Sequence, residues 1–163
     1  MIDFDALYAQ HSGSVFRFAL SLSGNRAMAE DITAETFVRV WGARDRVDIA
    51  TVIGYLMTIA RHLYLEQWRA ERGREGLEGD REDAAPGPHE LAASRAELDA
   101  VLADLQTLAE PDRAALLMRS QDQMPYEEIA AALKISAGAA KVKVHRARRR
   151  IAALRMTREG ASS

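Results

Sequence analysis

The stretch that decides the fold is Tyr126–Ile151, YEEIAAALKISAGAAKVKVHRARRRI. It opens acidic and alanine-rich and ends with Arg146, Arg148, Arg149 and Arg150 crowded beside Lys141 and Lys143. Pro125 stands at a helix start and Glu127 and Glu128 fall in the first turn, where the helix dipole favours acids. Ser136 is a good N-cap for a second helix. In that second helix Ala140, Val144, Ala147, Ile151 and Leu154 share one stripe. Val142, His145, Arg146 and Arg149 share the opposite face, with Lys141 and Lys143 at its flanks. Helix, tight turn and helix with a basic outer face predicts a helix-turn-helix. The second helix would enter the major groove with its N-terminal turns nearest the bases, and the later arginines would meet phosphates.

The charge distribution supports a local polyanion site. The chain of 163 residues has a formal net charge of -2, with 22 Lys and Arg against 24 Asp and Glu. Residues 136–163 hold 8 basic residues against 1 acidic, so everything before them is net acidic. The acidic segment 96–135 is expected to fold against the basic helix or to face a partner. There is no cysteine, which excludes disulfides and thiolate metal sites. The opening MIDFDALYAQ has no basic start followed by an apolar run, so it does not read as a signal peptide. No apolar run reaches the length of a membrane span, and a cytoplasmic protein is expected.

Upstream of the decisive stretch the pattern is helical throughout. Leu7, Val15, Phe18 and Leu22 fall on one face of residues 4–22, and Ser23–Asn25 supplies a stop and a new N-cap. Ala29, Ile32, Thr36 or Phe37, and Val40 form the apolar face of residues 26–43. Val52, Leu56, Ile59 and Leu63 do the same in residues 50–70. Residues 73–90 then carry four glycines, two prolines and a surplus of acid, with little to bury. That composition reads as a linker. The expected architecture is all-α: two small helical domains, residues 1–72 and 96–158, joined by a flexible acidic linker, 73–95, with 159–163 as a tail.

PYEEIAAALKISAGAAKVKVHRARRRI, Pro125–Ile151, resembles region 4 of bacterial sigma factors, especially the compact extracytoplasmic-function class. There the second helix reads the minus-thirty-five promoter element. Lys134 stands where that family usually has a glycine in the turn, so a left-handed residue with a side chain is expected there. Ala139 and Ala140 replace a usual Thr-Val pair, and Val142 replaces a small polar residue on the DNA face. AEDITAETFVRVW, Ala29–Trp41, resembles region 2 of the same class, whose helix docks on the coiled coil of the polymerase largest subunit. The resemblance places Asp31 and Glu35 in that dock, with Ala34 where glutamine is usual. Phe37 and Trp41 are expected to pack in the core.

YLMTIARHLYLEQWRAERGR, Tyr55–Arg74, resembles the next piece, the helix that opens and reads the minus-ten element. Ile59-Ala60-Arg61 fit, with His62 in place of asparagine and Glu66 in place of aspartate. Opening a duplex needs a basic surface and a pocket for an unstacked base. Arg61, Arg69 and Arg72 supply the first, and the loop Arg46–Val52 is expected to wall the second. Tyr55, Tyr64 and Trp68 read as packing residues before stacking ones. His62 and Glu66 are spaced for one metal, but no further ligand is in range.

The resemblance implies a sigma factor with no catalytic site, cofactor or metal of its own. It implies core RNA polymerase, promoter DNA and an anti-sigma factor as partners. Its DNA-binding set is Arg61, His62, Glu66, Arg69, Ser136, Lys141, Val142, Lys143, His145, Arg146 and Arg149. Two other readings fit the residues: a free-standing helix-turn-helix regulator, and a sigma-like module that sequesters a regulator.

Overall fold

A computed structural model describes residues 3–43, 52–74 and 92–161. Among them are seven α-helices: α1 Phe4–Ser23, α2 Arg26–Gly42, α3 Val52–Arg74, α4 Ala92–Gln106, α5 Glu110–Asp122, α6 Tyr126–Leu133 and α7 Ala137–Ala161. Of the loop expected over Arg46–Val52, residues 46–51 lie outside the described residues and Val52 begins α3; residues 75–91 of the expected linker also lie outside them. Helix α3 runs to Arg74, α4 begins at Ala92, and α7 continues to Ala161, so each overruns the edge that composition suggested.

The α1–α2 corner forms where the sequence says it should. Asp3 caps α1 by accepting the Ala6 N–H at 3.3 Å. Gly24 ends α1 at φ 68°, and its N–H bonds to Leu20 O. Asn25 restarts the chain by accepting the Met28 N–H at 2.9 Å. A side chain at Gly24 would be strained by that φ and would also press on Gln106, whose atoms lie 3.1 Å from an added Cβ. The apolar stripes of α1, α2 and α3 then close on one another: Phe18, Leu22, Ile32 and Leu56 are fully buried. Each such side chain contributes about 1.5–3 kcal/mol of burial.

In the C-terminal half, α5, α6 and α7 form the helix-turn-helix unit, with α4 laid against α5 and α7. Lys134 ends α6 at φ 58°, ψ 48° with its N–H on Ala130 O, as its place in the turn demands. Ile135 follows with its N–H also on Ala130 O at 3.0 Å and its side chain packed on the core, a Schellman ending. The two halves are not separate bodies on a string. α1 packs against α4 and α5, and α3 packs against α5 and α6, so one apolar core runs through both.

The join is pinned by Arg113, which is only 4% exposed. Its Nε donates to Leu22 O at 2.8 Å, its Nη1 to Leu108 O at 2.8 Å, and its Nη2 to the Tyr64 hydroxyl at 3.0 Å. Leu22 O lies in the last turn of α1 and Leu108 O just past the end of α4. Both carry the partial negative charge of a helix C-terminus, which helps compensate the buried cation.

Candidate nucleic-acid interface

Helix α7 starts on Ser136, whose Oγ accepts the Ala139 N–H at 3.0 Å. Ser136 is therefore a cap first, whatever else its hydroxyl touches. Ala140, Val144 and Ala147 are fully buried against the rest of the unit. That phase leaves Lys141, Val142, His145, Arg146 and Arg149 together on one outward patch. Val142 is 58% exposed, a large apolar group in the middle of cations. A patch of this kind can hold phosphates at its rim and meet a base edge or methyl group near its centre.

Lys143 does not share that patch equally. It turns toward α5, where its Nζ lies 3.7 Å from Asp112. Asp112 is buried in the first turn of α5, and its two oxygens take Arg146 Nε at 2.7 Å and Nη2 at 2.9 Å. The hydrogen bonds from Arg146 hold the Asp112 carboxyl below the usual carboxylate range, and the same pairing raises Arg146. On the other flank, Tyr126 lies between two cations: the Arg119 guanidinium 4.5 Å and the Lys141 ammonium 5.6 Å from its ring centre. Helix α7 is thus braced on both sides by side chains of α5 and α6.

The second predicted set lies on α3. His62, Glu66 and Arg69 are exposed, and with Arg61, Leu65, Ala132 and Lys134 they line a cleft between α3 and α6. Glu66 meets Arg39 of α2 at 3.4 Å. Arg61 is held instead by Glu110, with Nη2 at 2.6 Å and Nε at 2.9 Å. Trp68 is 41% exposed and carries the Arg72 guanidinium 4.5 Å from its ring centre. Tyr64 is buried and serves Arg113, and Tyr55 is partly buried against the core.

On α2, Asp31 and Glu35 are exposed on one face, and Val38, 61% exposed, continues that stripe a turn later. Phe37 is buried as expected. Trp41 is not: it stays 50% exposed, with its ring 4.9 Å from Phe4 at the edge of the bundle. Among the described residues no group of three or more His, Cys, Asp or Glu is placed to hold a metal, and no helix is long and apolar enough to cross a membrane.

Sequence reasoning missed Glu110, Asp112, Arg113 and Tyr126 as parts of this machinery. The two acids stand in the first turn of α5, where the helix dipole alone would account for them. Arg113 gave one signal, a lone cation in the apolar run RAALLM.

The comparisons with known proteins place the chain in a family. Residues 7–74 match the family of sigma-70 region 2, and residues 98–151 match sigma-70 region 4. The chain is 35% identical over 158 residues to the ECF RNA polymerase sigma factor SigE of Mycolicibacterium smegmatis, covering 93% of this chain but 61% of that protein. It is 34% identical over 150 residues to the RNA polymerase sigma factor CarQ of Myxococcus xanthus, covering 88% of this chain and 83% of CarQ. Among solved structures, the sigma factor RpoE of Bartonella quintana, crystallised with the anti-sigma factor NepR, superposes with a TM-score of 0.78. The two are 26% identical, and the match covers 91% of this chain and 94% of that one. With both sigma-70 regions in order on one helical chain, this protein belongs to the extracytoplasmic-function RNA polymerase sigma factors of the sigma-70 family.

Proposed function

We propose that this chain carries core RNA polymerase to a two-part promoter, with the work divided among three helices. Membership of the family makes it a factor for promoter-directed transcription initiation. Helix α2 offers the exposed Asp31–Glu35–Val38 stripe to a coiled coil of the polymerase. Helix α7 lays Lys141, Val142, His145, Arg146 and Arg149 in the major groove of the minus-thirty-five element, with Ser136 and Lys143 at the start and flank of that contact. Helix α3 turns Arg61, His62, Glu66 and Arg69 to the minus-ten element as it opens. The protein works in the cytoplasm with no catalytic group or cofactor of its own, and an anti-sigma factor holds it when its promoters are silent. The observation that carries the reading is the outward face of α7: a cationic patch around a bare valine, braced from behind by Asp112 and Tyr126.

Weak overall charge fits this division. A protein delivered to promoters by polymerase does not need to bind DNA strongly alone, and a net charge of -2 limits nonspecific binding. The test is transcription in vitro by core polymerase plus this protein on a library of randomised promoters. The expected result is initiation from a shared two-part motif. Binding to core without initiation would instead establish a sequestering module, and no binding to core a free-standing regulator. For the anti-sigma factor, a pull-down from native cells that returned only polymerase would refute that part.

A further inference from the structure

Asp112 is an acid set beside a surface built of cations. Its side chain is only 9% exposed, in the first turn of α5, and it gathers two cations of α7. Its Oδ2 takes Arg146 Nε at 2.7 Å and its Oδ1 takes Nη2 at 2.9 Å, while Lys143 Nζ lies 3.7 Å from Oδ1. A carboxylate here lowers the attraction of the patch for phosphate, so phosphate binding does not account for it. What it supplies is orientation. A guanidinium is a planar fork with two usable edges. Asp112 occupies the Nε–Nη2 edge, and no described residue takes Nη1. The Nη1–Nη2 edge is left free, on a side chain that is 59% exposed and lines the outward patch. Arg146 stands one helical turn after Val142 on the same face, so the fixed fork lies beside the apolar centre of the patch, where base edges and not phosphates would meet it.

We propose that Asp112 is a positioning residue for base reading: it presets Arg146 so that the free edge of the fork meets one guanine of the minus-thirty-five element. Guanine offers O6 and N7 in the major groove as two parallel acceptors, the match for two donors on one rigid edge. A loose arginine loses its side-chain freedom when it binds, whereas one already tied to α5 has lost it beforehand. The same carboxylate draws Lys143 back, so general attraction to DNA falls as choice of base rises. The inference rests on the assignment of α7 to the minus-thirty-five element, and adds to it a residue of α5 that acts on the base through Arg146.

The test uses holoenzyme, core polymerase with the full chain, on duplexes carrying the motif that the promoter library returns. Each guanine of the upstream element is replaced in turn by 7-deazaguanine, which lacks the N7 acceptor. In wild type one such replacement should weaken binding about tenfold, equivalent to about 1.4 kcal/mol. In Asp112→Ala the same replacement should weaken binding less than about twofold, while binding to a duplex without the motif should tighten about twofold, with a salt slope steeper by about 1. Damage to the fold would weaken both duplexes, so the opposite signs separate positioning from mere support. Should Asp112→Ala lose its helical circular dichroism, Asp112→Asn keeps the size of the side chain and must give the same two changes in smaller measure. Arg146→Lys keeps the charge without the fork, and must remove the 7-deazaguanine penalty without tightening the other duplex. An equal penalty in wild type and the Asp112 variant, no guanine with a penalty, or weaker binding of both duplexes overturns the positioning role and leaves the assigned function standing. Absent initiation by wild type sinks the assigned function instead. Selection of random duplexes by the full chain alone then decides Asp112: a guanine enriched by wild type and lost with the variant supports it, and equal enrichment or none overturns it.

Discussion

Replacing Arg113 by methionine is the sharpest test of how the two halves are held. Methionine fills roughly the same space and keeps the apolar stem, so the change isolates the guanidinium. It leaves Leu22 O, Leu108 O and the Tyr64 hydroxyl, now bonded at 2.8, 2.8 and 3.0 Å, without their donor. Each buried acceptor so stranded costs about 1–3 kcal/mol. The variant regains the desolvation cost of a buried cation, which offsets part of that. A net loss of about 3 kcal/mol follows, or about 6–12 °C in melting temperature for a chain of this size. Arg113→Lys keeps the charge but has one point donor for three directions, and should lose about half as much. Tyr64→Phe should cost about 1 kcal/mol in wild type and almost nothing once Arg113 is methionine, because the bond it removes is already gone. Thermal and urea unfolding by circular dichroism at a fixed pH give all four values. A methionine variant within about 0.5 kcal/mol of wild type, or a lysine variant equal to it, would show that the two helix ends are satisfied some other way.

Other substitutions probe single contacts. Lys134→Gly relieves a side chain from φ 58° and should raise the melting temperature by about 2–4 °C, roughly 1 kcal/mol. Asp122→Asn addresses a carboxyl whose Oδ2 is buried without a partner, near Arg17, Ser14 and His11. Burial raises its pKa in the fold, so the folded state prefers the proton and Asp122 penalises stability as pH rises through the folded value. The amide should therefore stabilise at pH 7, by on the order of 2 °C, and make no difference near pH 3. Asp112 has the opposite sign: the bonds from Arg146 lower its pKa, so its support is present above the ordinary carboxylate value and fades as pH falls through the lowered one. Asp112→Asn should melt earlier than wild type at pH 7, with the gap closing in acid. On the DNA side, Arg149→Ala should weaken binding of holoenzyme to all promoters alike and cut the salt slope by about 1, while Val142→Ser should change which bases are preferred. Filter binding across salt concentrations and a repeat of the promoter library distinguish the two.

What was legible in the sequence was local. Asn25 and Ser136 announce their caps because a short oxygen-bearing side chain at a helix start has few other uses. Lys134 was legible only through the resemblance, because it stands where the family usually has a glycine in the turn. The stripes Leu56–Leu63 and Ala140–Ala147 show which faces turn inward. The contacts that brace the candidate site were not legible. Arg61 and Glu110 are 49 residues apart, Asp112 and Arg146 are 34 apart, and Arg113 and Leu22 are 91 apart. Periodicity marks a face as polar but does not say whether water or another helix will meet it. Arg61 shows the difference: its place in the motif suggested a face open to DNA, and its burial comes from α5, a helix whose docking no local pattern encodes. Trp41 shows the reverse, an aromatic at core spacing that stays half exposed at the edge of the bundle beside Phe4.

One mechanical consequence follows from α7. The helix runs far past its own three-helix unit, and near its end Arg158 grips Asp104 of α4 at 2.5 Å. From Ala137 to Arg158 the rod is about 32 Å long. It is held at two stations: near its start, where Ala140, Val144 and Ala147 are buried and Asp112 takes Arg146, and near its end by Asp104. A stiff rod tied at both stations cannot turn at one without turning at the other, so a displacement of α4 is felt at the outward patch of α7.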